Sequence, residues 1–307
     1  MSQRTWRIAT RKSALALWQA NHVADCLRQL PSAPLVELVQ IVTTGDQNQT
    51  DALRQFGGAG VFTKEVQKAV LDGRADFAVH SLKDLPTQSA DGLTLACVPP
   101  RAPRCDVLLL PTTAAPPQQL EELPANAKIG TGSPRRQAQL KHLRPDLQLS
   151  EIRGNVDTRL KKLDDGEFDA ILLAEAGLQR LQLQHRISLV LQPPTFFPAV
   201  SQGALGIECR ADDADALLLL QPLICPIAHS EVLAERALLR TLRAGCHAPL
   251  GVWTEFSPET LRLTAVLLSP DGSSRIQQSA SGPADNPEFV GVAAAELLLQ
   301  SGAASLI

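Results

Sequence analysis

The fold class is decided by residues 128–174, which read KIGTGSPRRQAQLKHLRPDLQLSEIRGNVDTRLKKLDDGEFDAILLA. Apolar runs alternate along this stretch with segments of helical apolar spacing. The predicted elements are strand 128–130, helix 135–143, strand 147–152, helix 156–163 and strand 168–174. Such alternation, which a strand at 107–110 begins, is typical of an α/β layer with a largely parallel sheet.

The same alternation extends toward the N-terminus. Short apolar segments predict strands at 6–10, 35–43, 76–80 and 93–98. Ser13 is suited to cap a first helix. The apolar face of that helix is predicted to contain Leu15, Trp18, Val23 and Leu27.

Two segments near the N-terminus predict breaks between elements. Residues 46–60 are polar and Gly-rich, which indicates a mobile loop before a helix at 61–71. Loops of this length often cover active sites. Pro99 and Pro100 then predict a linker, where the first domain pauses.

The C-terminal third predicts a return to the first domain and then a separate α+β domain. Residues 203–209 favour a strand that rejoins the first domain, so the chain crosses between domains twice and a hinge is expected. A helix at 229–242 begins the last domain. Its remaining elements are strands at 252–256, 261–268 and 274–279, followed by a helix capped by Asn286 with Pro287 in first position.

Size and charge limit the classes of protein that this chain can be. With 307 residues and 33.0 kDa, it exceeds a typical single core, so two or three domains are expected. A net charge of −3 argues against a surface that attracts nucleic acid as a whole. No segment has the roughly 18 uninterrupted apolar residues of a membrane-spanning helix, and the first residues have no signal-peptide pattern. We therefore expect a soluble, cytoplasmic protein with no nucleic-acid or membrane partner.

The cysteines and glycines exclude several cofactors. The 6 cysteines are far apart and form no CxxC pair, which predicts reduced thiols and no metal site. No GxGxxG or Walker pattern for a nucleotide is present. A bound cofactor, if there is one, is therefore expected to be neither a metal ion nor a nucleotide.

Basic residues recur where predicted strands end and helices begin. Ligands of open α/β sheets bind beyond the carboxyl ends of strands, where helix N-termini favour anions. The basic residues at these positions are Arg11, Lys83, Arg135, Arg136 and Arg153. They predict an interdomain cleft for a ligand with several negative groups, and the alternative is that each is a solvated surface charge.

The segment RGNVDTRLKK at 153–162 adds a second feature of this kind. If the chain is helical from Val156, Arg159 lies one turn beyond Asn155 and near Arg153, and the two guanidinium groups could hold one carboxylate. An amphipathic helix with a basic outer face explains the pattern equally well.

Two further motifs carry reactive groups. HSLKDLP at 80–86 places Asp84 on a tight turn after an apolar strand, where a carboxylate could stabilise a positive intermediate, although a turn with a capping Asp is the plain alternative. AGCHAPLG at 244–251 places Cys246 on a loop, where a thiol is accessible as a nucleophile. Inert packing is the alternative for Cys246, and a Cys/His hydrolase that uses His247 is a rival function.

Taken together, several motifs resemble the porphobilinogen deaminase family in order and spacing over nearly the whole chain. They are RIATRKSALALWQA, TTGD, GGAGVFTKEV, HSLKDLP, GTGSPRRQAQL, RGNVDTRLKKLDDGEFDAILLAEAGLQRL, PAVSQGALGIECR and AGCHAPLG. The resemblance implies an α/β fold of three domains: two lobes like those of type II periplasmic binding proteins and a small α+β domain. The implied bounds are 1–100 with 201–222 for the first lobe, 104–198 for the second and 226–307 for the last.

The resemblance also implies the reaction and the residues that perform it. Four porphobilinogen units would be deaminated and joined on a dipyrromethane cofactor, tethered through Cys246 by a thioether, and water would release hydroxymethylbilane. The residue matching Asp84 is the catalytic carboxylate of the family. The residues matching carboxylate-binding or cleft-lining positions are Arg11, Ser13, Phe62, Lys83, Ser133, Arg135, Arg136, Arg153, Arg159, Arg180 and Gln202.

The abundance of arginine agrees with this implication, because each pyrrole ring carries two carboxylates. Of the 29 basic residues, 21 are Arg and 8 are Lys, and Arg binds carboxylates by paired hydrogen bonds. A monomer with no protein partner is the expectation from the family. The rival class is a two-lobed anion receptor without chemistry, which would have no use for a thiol at Cys246.

Overall fold

The computed structural model describes residues 4–43, 63–245 and 248–307. The predicted loop at 46–60, Phe62 and Cys246 lie outside these ranges. The chain divides into two compact units. The first contains Met1–Ala102 and Ala204–His229, and the second contains Pro103–Gly203 and Ser230–Ile307.

Strands and helices alternate through the described residues. The strands are β1 (Thr5–Arg11), β2 (Leu35–Ile41), β3 (Phe77–Ser81), β4 (Leu93–Cys97), β5 (Asp106–Leu109), β6 (Lys128–Gly130), β7 (Gln148–Ser150), β8 (Ala170–Ala174), β9 (Leu189–Leu191), β10 (Leu205–Arg210), β11 (Leu250–Phe256), β12 (Thr260–Leu268) and β13 (Arg275–Pro283). The α-helices are α1 (Ala14–Arg28), α2 (Lys64–Leu71), α3 (Pro134–Leu143), α4 (Val156–Asp164), α5 (Glu175–Arg180), α6 (Ala214–Leu220), α7 (Pro226–Thr241) and α8 (Pro287–Gln300).

The first unit is built on a five-stranded sheet with the order β2-β1-β3-β10-β4. β1 runs parallel to β2 and β3, whereas β10 runs antiparallel to β3 and β4. The predicted return of the chain to the first domain is confirmed, because β10 lies inside this sheet. Helix α1 packs on the sheet with Val23 and Leu27, which join Ile8 and Phe77 in one buried apolar cluster.

Trp18 was predicted on the apolar face of α1, and this prediction is wrong. The buried residues of the helix are Gln19, Ala20, Val23, Ala24 and Leu27. Trp18 is 36% exposed, and its ring stacks on His22 one turn along the helix, with 5.0 Å between ring centroids. Gln19 is buried instead because its amide donates a 2.7 Å hydrogen bond to Ser81 Oγ.

The second unit contains two sheets. One has the order β7-β6-β8-β5-β9, in which β6 is parallel to β7 and β8, and β5 is antiparallel to β8 and β9. This repeats the order and directions of the first unit's sheet strand by strand. The other sheet is antiparallel, β11-β12-β13, and packs with α7 and α8 around one apolar cluster.

The predicted α/β class with two similar lobes and a small α+β part is confirmed, but a largely parallel sheet is not. Each lobe has a mixed sheet, because its fourth strand runs against its neighbours. Hydrophobic periodicity reports which faces of a strand are buried and carries no information on its direction. Within the described ranges no single helix is long and apolar enough to cross a membrane; Ala214–Leu223 and Pro226–Thr241 pass that test only together, across a bend of 111°.

Gly291 is expected to be indispensable for the packing of α8 on α7. A Cβ at this position would overlap the carbonyl oxygen of Ala234 and lie 2.9 Å from the Cβ of Ala237. Because backbone cannot move aside as a flexible side chain can, Gly291→Ala should destabilise the fold by about 1–3 kcal/mol or more. Denaturant unfolding measures this, and a midpoint equal to that of the wild type would contradict the close approach.

Candidate functional site

In the first unit, the predicted site residues lie at one edge of the sheet. Arg11 ends β1, and Ser13 follows it as the N-cap of α1, where its hydroxyl accepts a 3.3 Å hydrogen bond from Ala16 N. Lys83 and Asp84 lie on the 3₁₀ turn Leu82–Asp84, directly after β3. Because β1 and β3 are neighbouring parallel strands, their carboxyl ends meet at the same edge. Lys83 is half-buried and Asp84 is exposed.

The turn that carries Asp84 is anchored to the sheet through Leu82. The side chain of Leu82 is fully buried, and its backbone N donates a 3.0 Å hydrogen bond to Ala204 O. Gly206 on β10 makes room for this side chain, since a Cβ there would lie 2.6 Å from Leu82 Cδ1. The geometry fixes where the turn leaves the sheet while Asp84 faces solvent.

A buried polar cluster connects β3, β10 and helix α2. Glu208 on β10 is fully buried, and both its carboxylate oxygens accept from Gln67 Nε2, at 3.2 and 2.9 Å. His80 Nε2 lies 3.0 Å from Glu208 Oε2, which is an ion-pair distance without the alignment of a hydrogen bond. A buried carboxylate requires such partners, so the cluster ties α2 and β3 to β10.

In the second unit, Arg135 and Arg136 lie at the start of α3, and both bind one buried carboxylate. Ser133 is the N-cap of this helix and accepts from Arg136 N. Arg135 Nη1 lies 2.6 Å from Asp106 Oδ2, and Arg136 Nη2 lies 2.7 Å from Asp106 Oδ1. Asp106 is fully buried, and the two arginines are 4% and 6% exposed.

Neighbouring carbonyls and Gln202 complete this cluster. Arg135 Nη1 also donates to Phe197 O at 2.6 Å, and Arg136 Nη1 donates to Leu172 O at 2.9 Å. The amide of Gln202 donates to Asp106 Oδ1 at 3.0 Å and to Arg104 O at 2.8 Å. Burial alone would raise the pKa of Asp106, but the charges of the two arginines hold it well below its ordinary value.

One buried donor of the cluster has no acceptor in the described ranges. Arg135 Nε is buried without a hydrogen-bond partner there, although the rest of the guanidinium is bound. An unsatisfied buried donor costs about 1–3 kcal/mol. A bound anion at this position would remove that penalty.

Arg153 and Arg159 lie around the start of α4. Arg159 Nε donates to Gly154 O at 2.8 Å, so its side chain returns to the residue that follows Arg153. Arg153 pairs with Glu151, with 2.6 Å between Nη2 and Oε1. Lys161 on the same helix is exposed and pairs with Asp165. The exposed Lys161 agrees with the alternative interpretation of this segment, an amphipathic helix with a basic outer face.

Arg180 ends α5 and is 6% exposed. Its Nη2 donates to Gly203 O at 2.7 Å, next to Gln202. Burial lowers the pKa of Arg180 to about 10, which leaves it protonated at neutral pH. Burial excludes the solvated-charge alternative for Arg135, Arg136 and Arg180, whereas Arg11, Arg153 and Arg159 are half-buried.

The residues on either side of Cys246 and His247 are described, although these two are not. Ala244 is buried in the apolar cluster of β11–β13, and Ala248 packs against it. Ala248 N donates a 3.0 Å hydrogen bond to Gly245 O. Both ends of the AGCHAPLG loop are therefore fixed on the C-terminal part of the second unit.

Sequence reasoning did not identify Asp106 or Glu208 as important. Each is an acidic residue at or within an apolar strand, in CDVLLL and GIECR, and a charge in such a run is a signal of a buried partner. Among the described residues, no group of three or more His, Cys, Asp or Glu side chains could hold a metal ion.

The chain matches two family models and is similar to curated proteins over almost its whole length. Residues 6–217 match the family model described as porphobilinogen deaminase, dipyromethane cofactor binding domain, and residues 229–300 match porphobilinogen deaminase, C-terminal domain. A porphobilinogen deaminase from Maridesulfovibrio salexigens is 45% identical over 300 residues, covering 98% of this chain and 96% of its own. One from Chromobacterium violaceum is 48% identical with the same coverage.

Solved structures show weaker likenesses. The periplasmic VFT2 domain of BvgS from Bordetella pertussis has a TM-score of 0.44 and 12% identity, covering 76% of this chain and 92% of that one. An ancestral cationic amino acid solute binding protein has a TM-score of 0.42 and 14% identity, covering 71% and 87%.

Proposed function

Because the chain belongs to the porphobilinogen deaminase family, we propose that it deaminates four molecules of porphobilinogen and joins them head to tail into hydroxymethylbilane. It is a transferase of tetrapyrrole biosynthesis with a dipyrromethane cofactor. The observation that carries the proposal beyond family membership is the buried pair Arg135 and Arg136, which includes a buried N–H without a described acceptor.

The basic residues bind acidic side chains. Porphobilinogen and the dipyrromethane carry an acetate and a propionate on each ring, and guanidinium groups match carboxylates by paired hydrogen bonds. We assign this role to Arg11, Ser13, Lys83, Ser133, Arg135, Arg136, Arg153, Arg159 and Arg180. We also propose that Phe62 and Gln202 line the cleft. The amide of Gln202 donates to Arg104 O and to Asp106.

Asp84 is the proposed catalytic carboxylate. Its turn leaves the edge of the sheet where Arg11 and Lys83 also lie, so acidic groups of a substrate are bound beside it. Departure of ammonia leaves positive charge on the pyrrole ring, and a fixed carboxylate lowers the energy of that charge. The anchoring of Leu82 supports this role because catalysis by a charge depends on its fixed position.

Cys246 is the proposed point of attachment, through a thioether. When bound, the dipyrromethane supplies the pyrrole end to which new units are added. A covalent link keeps the growing chain at one place through repeated additions, without the entropy cost of rebinding. The buried Arg135 Nε–H, which has no described acceptor, fits a carboxylate of the dipyrromethane.

Three finer statements belong to the same proposal. We propose a division into lobes 1–100 with 201–222 and 104–198, and a domain 226–307, which the presence of three separate sheets supports. The chain is proposed to act as a cytoplasmic monomer, without nucleic-acid, membrane or obligate protein partners.

Intact-mass measurement of the purified protein, with Ehrlich's reagent and a porphobilinogen turnover assay, tests the proposal. The expected result is added pyrrole mass, a positive colour reaction and conversion of porphobilinogen. A two-lobed receptor would show only the mass of its sequence and no turnover. A Cys-dependent hydrolase would show an alkylatable thiol at Cys246. Either result, with no loading after incubation with porphobilinogen, would refute the proposal.

A further inference from the structure

We infer that Asp106 is a positioning residue for the reaction, which holds the guanidinium groups of Arg135 and Arg136 side by side so that they bind a carboxylate of the pyrrole chain together. The inference rests on the proposed function. It adds a residue that touches neither substrate nor cofactor and acts through the two arginines.

The geometry shows one carboxylate shared by two guanidinium groups. Oδ2 of Asp106 accepts from Arg135 Nη1 at 2.6 Å, and Oδ1 accepts from Arg135 Nη2 at 3.3 Å and from Arg136 Nε at 2.9 Å. Gln202 Nε2 adds a fourth hydrogen bond at 3.0 Å. Each of the four bonds fixes the carboxylate or a guanidinium in direction as well as in distance.

The charges do not cancel within this cluster. Two guanidinium groups and one carboxylate leave a net charge of +1 in a buried place. Two neighbouring cations repel one another, and burial lowers the pKa of Arg136 because it disfavours the charged form. Asp106 reduces this repulsion, and the remaining positive charge is left for a ligand carboxylate.

The N–H groups of Arg135 and Arg136 that Asp106 does not bind are consistent with this positioning role. Asp106 and the carbonyls of Phe197 and Leu172 occupy one part of each guanidinium. Arg135 Nε–H has no acceptor in the described ranges. A purely structural ion pair would be expected to satisfy every buried nitrogen, whereas here Arg135 Nε has no described acceptor.

The test uses Asp106→Asn in the full-length protein and measures covalent loading, KM for porphobilinogen, kcat and thermal unfolding. Asn keeps the shape and loses the charge, so both arginines lose their shared anion. We expect KM to rise about tenfold or more and the loaded fraction to fall, with a smaller change in kcat of the loaded chains. A loss of thermal stability accompanies this, because a partner of a buried ion pair is removed.

Asp76→Asn is the matched control for a purely structural effect. Asp76 is 3% exposed and lies 3.1 Å from Arg4 Nη2 and 3.7 Å from Arg210 Nη2, in the first unit and outside the proposed site. This variant should lose stability while KM and loading stay within about twofold of the wild type.

Three results would overturn the inference. The first is a KM and a loaded fraction in Asp106→Asn that equal those of Asp76→Asn. If Asp106→Asn does not fold, Asp106→Glu keeps the charge but displaces it by one methylene, and an unchanged KM in that variant also refutes the positioning role. An Asp106→Asn protein in which kcat alone falls is the third. A wild type without pyrrole mass or turnover would instead refute the proposed function.

Discussion

Cys246→Ala is expected to abolish both covalent loading and turnover. The thiol is the proposed nucleophile that forms the link, and Ala has no atom that can form it. Without the link, the chain cannot hold an acidic oligomer through successive additions, so activity should fall to background. Intact mass should equal that of the sequence, and Ehrlich's reagent should give no colour.

Cys225→Ala is the matched control for loss of a thiol. Cys225 is a half-buried free cysteine whose backbone N donates to Val98 O, a bond that Ala retains. Loading and kcat should match the wild type. Pyrrole mass on Cys246→Ala, or its absence from Cys225→Ala, would show that the attachment is elsewhere.

Asp84→Asn is expected to retain the cofactor and to lower kcat by about 10²–10³-fold, the size that follows loss of one preorganised electrostatic contact. Asn is nearly the same shape, so the turn anchored by Leu82 should stay in place. KM should change little, because the basic residues that bind carboxylates are untouched. Steady-state kinetics on protein shown by mass to be loaded separates these quantities.

Asp91→Asn provides the comparison for Asp84. Asp91 is also an exposed carboxylate of the first unit, seven positions further along the chain, and has no proposed role. Its kcat should stay within about twofold of the wild type. Near-normal turnover in Asp84→Asn would contradict the charge-stabilising role.

The sequence was informative where local rules decide the structure. Strand 128–130, the N-cap Ser13 and the start of the last helix at Pro287 are found as predicted. The short strand β9 and helices α5 and α6 were not predicted, because three to seven residues give too little periodicity. The antiparallel direction of β5 and β10 was missed because strand direction depends on the path of distant segments.

The site was less accessible to such reasoning than the fold. Basic residues at strand ends were found because their position follows from alternation alone. The partner of Arg135 was not found, because Asp106 lies 29 positions earlier and the pairing exists only after folding. The proposal of Cys246 as the tether came from the resemblance, since a lone cysteine on a loop has no local signature.

The place of β10 in the first sheet affects the order in which the protein folds during translation. This strand separates β3 from β4 and pairs with both, yet some hundred further residues must leave the ribosome before it appears. Until then, β3 and β4 present unpaired edges that invite pairing with other chains. The lobe that carries Asp84 is therefore begun first and closed only after the whole sheet of the other lobe has been translated.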